Sequence, residues 1–239
     1  MLTACLSFFS SSSALCGDFP PFLPFPERLP SEIRSEVVSV WRGYTLTRAV
    51  NGQSARPPLE LVRLFVDLPV VTVAASRHLG LANYQVRQIG PTSYYEVEDG
   101  EGARGTYRVL FEEPYRRVFL ASGGRPIRIL GQVTGAALTV LIFRPEVGLD
   151  GRPWVAQRVE TFVRVDNTIP AFFARILAPL FPGYVDRKIG EGFNIMASVS
   201  GWAYENPRAF CHWLGKEGEV APYHTEFSSY CGRTEWKGQ

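Results

Sequence analysis

Apolar residues recur at two spacings along this chain, and the change from one to the other divides it. From Thr168 to Tyr204, Val185, Ile189, Gly192, Phe193, Met196, Val199, Ser200 and Ala203 fall at steps of three and four, which sets one apolar stripe on a long helix. Asp186, Arg187, Lys188, Glu191 and Asn194 make its solvated side. A helix with one apolar side needs a surface to lie on, and between Tyr84 and Val165 the chain supplies it: the period there is two, broken by Gly and Pro. The pattern predicts strands at Tyr84 to Ile89, Tyr94 to Glu98, Gly105 to Glu112, Tyr115 to Ala121, Ile127 to Val133, Ala137 to Arg144 and Trp154 to Val165. Asp99-Gly100-Glu101-Gly102, Gly123-Gly124, Glu113-Pro114 and Asp150-Gly151 read as turns. Short connections with no helix interposed favour antiparallel neighbours and argue against a doubly wound parallel sheet.

Upstream, Asp18 to Pro30 holds five prolines and three phenylalanines, an extended arm laid over the body or used as a tether. Ser31 reads as the N-cap of a short helix from Arg34 to Val38, and Val40 to Val50 as a first strand ending at Asn51-Gly52. Pro57 and Pro58 open a helix whose face is Leu61, Leu64, Phe65, Leu68, Val71 and Ala75, with Pro69 expected to bend or split it before Gly80.

Strand parity orients the sheet. In the last strand Val155, Val159, Val163 and Val165 share the inward face with Gln157 and Thr161, while Arg158, Glu160 and Arg164 point out. By the same parity Tyr107, Val109 and Phe111 point in and Arg108 and Glu112 out; Leu138 to Ile142 is apolar on both faces and has no orientation. An inward amide or hydroxyl without a partner costs about 1–3 kcal/mol, so Gln157, Thr161, Tyr107 and Ser200 either bond to neighbours or orient a ligand in an apolar pocket.

This order of elements, carried by Val40 to Val50, Pro57 to Leu79, the strands from Tyr84 to Val165 and the closing VDRKIGEGFNIMASVSGWAYENP, resembles the helix-grip fold of the START-like (SRPBCC) superfamily, which includes polyketide cyclases and coenzyme Q-binding proteins. The resemblance covers about Val40 to Pro207 and rests on pattern; the long first helical segment and the tail past Pro207 depart from it. It implies an α+β fold, a curved antiparallel sheet of about seven strands wrapped around a long C-terminal helix. It also implies a cavity between them for a lipid, sterol, quinone or polyketide-like molecule. The residues expected to line it are Tyr107, Val109, Phe111, Gln157, Thr161, Ile189, Phe193, Met196 and Ser200. Gly190, Gly192 and Gly201 leave the helix short of side-chain volume, for close packing or for cavity space.

Composition changes this picture little. Over 239 residues, 25 basic against 23 acidic groups with no block of either sign leave no nucleic-acid footprint, and no run approaches the roughly 20 apolar residues of a spanning helix. The divisions expected are a leader and arm over 1–30, the helix-grip domain over 31–214, and a flexible or loosely packed tail over 215–239. Met1 to Cys16 suits a signal peptide without its basic region, or, through Leu2-Thr3-Ala4-Cys5, a lipobox with Cys5 acylated, or a leader of no consequence. The compartment is therefore cytoplasmic or exported, with membrane contact through an acylated or uncleaved N-terminus as one option. If exported, Cys211 and Cys231 could pair; if cytoplasmic, they are plain thiols. Scattered His78, His212 and His224 and the lack of CxxC spacing give no metal site, and no cofactor is expected.

Catalysis finds no motif. There is no GxSxG, the Gly-rich Gly100 to Gly105 lacks the Lys and helix of a phosphate loop, and Glu112-Glu113 point to opposite faces. No catalytic residue is assigned. The leading expectation is a non-catalytic binder of a hydrophobic small molecule. The alternatives are a cyclase or hydrolase on the same fold, for which Asp67, Asp186 or His78 would have to face the cavity, and a protein-interaction scaffold using the arm or tail.

Overall fold

In the computed structural model, the structure describes residues 19–52, 55–90, 93–127, 131–166 and 180–232. The leader Met1 to Cys16 and the part of the long closing segment before Leu180 lie outside them.

Seven strands form one antiparallel sheet: β1 Leu46–Asn51, β2 Gln85–Gln88, β3 Tyr94–Glu98, β4 Arg104–Glu113, β5 Arg116–Ile127, β6 Gly131–Val147 and β7 Pro153–Val165. Their spatial order is β1-β7-β6-β5-β4-β3-β2. Helices α1 Ser31–Gly43, α2 Leu59–Asp67 and α3 Pro69–His78 precede β2, and α4 Leu180–Glu205, α5 Pro207–Lys216 and α6 Ser228–Cys231 follow the sheet. The fold is α+β and helix-grip in form, a curved sheet with a long helix near the C-terminus.

Three expectations change. The strand read over Val40 to Val50 begins only at Leu46, because α1 runs on to Gly43. Val37, Val40 and Trp41 stand at helical spacing, and that stripe lies on the sheet. Ser31 is the first helical residue and Pro30 holds the cap position.

Gly123-Gly124 is not a turn, and Ile127 to Val133 is not a separate strand. β5 and β6 pair continuously from Arg116 with Ile142 to Ile127 with Gly131. Gly105, Gly123 and Gly135 face one another across β4, β5 and β6. A Cβ would lie 2.4 Å from the Ser122 carbonyl oxygen at Gly105, 2.5 Å from that of Arg104 at Gly123, and 2.6 Å from that of Arg164 at Gly135. Backbones approach this closely only where the sheet coils sharply, so the glycine line is where it bends.

The third change is a bulge in β4 between Val109 and Phe111. Phe111 now pairs with Val118 and turns to the outer face, while Glu112 pairs with Arg117 on the inner one, the reverse of plain alternation.

Pro69 splits the helix as expected. It has no N–H to give the Phe65 carbonyl, and the Thr72 hydroxyl donates to that oxygen instead, and to the Leu68 carbonyl at 3.3 Å.

The outer face carries α1 and the proline-rich arm. Phe22 stacks on Phe162 at 5.5 Å and Trp41 meets the same ring edge-on at 5.0 Å, over Val118, Leu120, Ala136, Leu138 and Val140. The inner side carries α2, α3, α4 and α5 around Phe65, Val71, Val199, Phe210 and Leu214. The tail is packed rather than loose up to Gly232. Val220, Phe227 and Tyr230 are buried, Phe210 meets Phe227 at 5.1 Å, and a Cys211–Cys231 disulfide joins α5 to α6.

Candidate ligand-binding trough

Two rows of residues cross the middle of the inner face: Tyr107, Ala121, Ala137, Val163 and, beside it, Val109, Phe119, Thr139, Thr161. All except Thr161 are only half-buried. On the outer face of the same strands Val118, Leu120, Ala136 and Leu138 are at most 4% exposed. The inner rows therefore leave apolar surface accessible on the concave face, a candidate trough.

The closing helix is held by the sheet's edges. Asp186 pairs with Arg48 of β1 at 3.2 Å. Lys188 reaches Asp99 at 3.1 Å and Glu101 at 3.3 Å in the turn between β3 and β4, and Arg187 grips Glu101 with two bonds of 3.0 Å. A flat sheet would set β1 and β3 about 24 Å apart, five steps of about 4.8 Å. Asp186, Arg187 and Lys188 are consecutive residues on one helix, so the sheet curls around it. Lower down, Phe193 lies against Gly52, where a Cβ would fall 2.2 Å from the ring; only glycine lets α4 seat so closely at β1.

In this polar clamp each cation meets a carboxylate. Burial works to raise the Asp99 pKa, but N–H bonds from Ala103 and Glu101, each 2.8 Å, and the nearby Lys188 outweigh it and hold the carboxyl below its usual range. The Arg187 fork takes Glu101 down to about 2. Burial and its bond to Glu191, 2.8 Å, push Tyr84 up to about 12. Burial opposes the charge on Lys188, yet its bonds to Glu191, Tyr84 and Asp99 leave its pKa raised. A recess of about 270 Å³ lies among these groups, bounded by Leu81 to Tyr84, Asp99 to Glu101 and α4. Its charges are matched to one another, which suits a fastening.

The nine residues expected at the site separate. Tyr107 and Val109 lie in the trough. Tyr107 stacks on Tyr95 at 5.0 Å and meets Phe119 at 6.0 Å, and burial pushes its hydroxyl well above the ordinary tyrosine range. Thr161 is satisfied by Thr139 at 2.9 Å, and Ser200 by the Met196 carbonyl of its own helix at 2.6 Å. Gln157 is 3% exposed, and its Nε2 has no hydrogen-bond partner among the described residues. Ile189 and Met196 are half-buried on α4, and Phe193 is buried against Gly52. Phe111 is on the other face. Gly192 is exposed, and a Cβ at Gly190, Gly192 or Gly201 would meet nothing within 4 Å, so none serves close packing.

Sequence reasoning missed Phe119, Ala121, Ala137, Thr139 and Leu141, because β5 and β6 are apolar on both faces and parity alone does not orient them. It also missed the pairing of Asp67. Its carboxylate accepts two bonds from Arg117, 2.7 and 2.8 Å, at the α2 end of the trough, where Arg117 is 2% exposed. His78 lies 5.4 Å from both Trp202 and Trp213, among α3, α4 and α5. Among the described residues no group of His, Cys, Asp and Glu is placed to hold a metal ion.

No protein-family model matches the chain, and no curated protein matches it. Among solved structures, a conserved protein from Geobacillus kaustophilus, 14% identical, aligns over 66% of this chain and 97% of its own with a TM-score of 0.47. A protein from Thermus thermophilus, 17% identical, aligns over 65% and 97% with a TM-score of 0.42. Ara h 8.0201, 16% identical, aligns over 67% and 99% with a TM-score of 0.40.

Proposed function

We propose that the protein binds a hydrophobic small molecule, of the lipid, sterol, quinone or polyketide-like kind, in the trough between the inner sheet face and α4. One observation carries the reading: in the middle of β5 and β6 the inner Phe119, Ala121, Ala137 and Leu141 are half-buried, while Val118, Leu120, Ala136 and Leu138 on the outer face of the same strands are sealed. Apolar surface left accessible forgoes roughly 25 cal/mol per Å², and a contiguous patch of it inside a concave face is the usual form of a small-molecule site. The ligand completes the burial that α4 does not.

The test is native mass spectrometry and solvent extraction of the purified protein, followed by titration with a fluorescent apolar probe. A bound apolar species, or saturable probe binding displaced by a lipid, is expected. A protein that carries nothing and leaves the probe dark overturns the reading.

A further inference from the structure

At the end of the trough stands a cation that has no carboxylate partner among the described residues. Along the inner face of β5 the side chains run Arg117, Phe119, Ala121, Gly123, Arg125. Arg117 is matched by Asp67. Arg125, half-buried, turns its guanidinium onto the ring of Tyr184 in α4, 4.9 Å from its centroid, and its Nε is buried without a hydrogen-bond partner among the described residues. Among the described residues it pairs with no carboxylate. The other cations near Tyr184, Arg187 at 5.5 Å and Lys188 at 6.0 Å, are held by Glu101, Glu191 and Asp99. Arg63 and Arg108 also have an unpartnered Nε, but Arg63 belongs to α2 and Arg108 lies on Tyr94 on the outer face, opposite Leu120. Of the five arginines with such an Nε among the described residues, the remaining two are paired, Arg48 with Asp186 and Arg116 with Glu113, which leaves Arg125 as the one that faces the closing helix without a carboxylate among the described residues.

We propose that the ligand is an amphipathic acid whose anionic head pairs with Arg125 and whose hydrocarbon body lies along Ala121 and Phe119. The inference rests on the trough being a binding site. A guanidinium presents a planar fork of N–H donors that fits a carboxylate with two bonds, and a partly desolvated cation gains most from such a partner. From Arg125 to Phe119 the strand runs six residues, about 20 Å at about 3.3 Å each, which matches a long acyl chain.

The experiment compares palmitate with hexadecan-1-ol, identical in chain and different in charge, by probe displacement on the full chain. The proteins are the wild type, Arg125→Gln, Arg125→Lys and, as a surface control, Arg104→Gln. The wild type is expected to prefer palmitate by about tenfold or more, Arg125→Gln to lose about tenfold for palmitate with hexadecanol unchanged, and Arg125→Lys to recover part of the loss. Equal affinity of the wild type for acid and alcohol, or an Arg125→Gln loss no larger than that of Arg104→Gln, overturns the role of Arg125 and leaves the trough standing. Failure of both compounds to bind the wild type overturns the trough and this inference with it. Equal thermal melting of the variants checks that binding, not folding, is being read.

Discussion

The two faces of β5 and β6 are made from alternate residues of the same strands, yet they are covered in different ways. On the outer face α1 and the arm lie directly on the sheet, and Val118 and Leu138 are fully buried. On the inner face α4 is fastened at the rims, through Asp186 to Arg48 and Lys188 to Asp99, and the middle rows remain half-buried. A helix resting on small residues such as Ala136 makes a seal. A helix slung between the edges of a curled sheet makes a vault, and the difference lies in where it is attached.

The contrast is broken most directly by paired truncations. Leu138→Ala on the outer face is expected to cost about 3 kcal/mol, the range for a sealed core leucine, while Leu141→Ala on the inner face costs about 1 kcal/mol or less because less burial is lost. Urea denaturation of both variants decides it; equal costs would mean the faces are equally packed.

Next in size is the inner face's own ion pair. Asp67→Ala leaves Arg117, 2% exposed, without its counter-charge, with an expected loss of about 2 kcal/mol. Adding Arg117→Met should return most of it, since the penalty is for the stranded charge. If the double variant is as unstable as the single one, the pair contributes real attraction instead.

The clamp sharpens the comparison through pH. Asp99, Glu101 and Glu191 all have folded pKa values below the ordinary one, so their contribution is present above the unfolded value and lost as pH falls through the folded one. For Glu101 the window runs from 4.5 down to about 2. On the alkaline side Tyr84, raised from 10.0 to about 12, contributes below its unfolded value and ceases to as pH climbs through the folded one. Hydrogen exchange should therefore show α4 near Lys188 loosening in both windows while α1 on the outer face stays protected. A Lys188→Met variant should exchange faster in the plateau between them.

Much of this architecture was readable from periodicity. The strand series and the closing helix follow from spacing, with β7 and α4 oriented by their polar sides, and the split at Pro69 follows from its missing N–H. What escaped is what spacing does not encode. Three glycines in register across strands look, one strand at a time, like turn material. A bulge at Val109 reverses Phe111 without any signature residue. Two-sided apolar strands conceal which residues are inner, so half of the trough was invisible, and Arg125 drew no attention because an arginine gains meaning only from what fails to pair with it. Gln157 was singled out for the right reason, an inward polar group among valines. Removing its orphan amide by Gln157→Leu is expected to raise stability by about 1 kcal/mol, and a loss of stability would show that the amide has a partner.

The smallest expected effect on stability is the most informative about the vault. Ala136 and Ala137 are adjacent, one under α1 and 3% exposed, the other in the trough and half-buried. Ala136→Phe must force the sealed layer apart, at a cost of about 1–3 kcal/mol. Ala137→Phe has accessible space to enter, so its melting temperature should stay near that of the wild type while probe and palmitate binding fall away, because the ring occupies the ligand's place beside Ala121 and Tyr107. A filled trough that still binds would move the ligand to another surface. A strongly destabilised Ala137→Phe would mean the inner face is as closely packed as the outer, and the contrast between seal and vault would vanish.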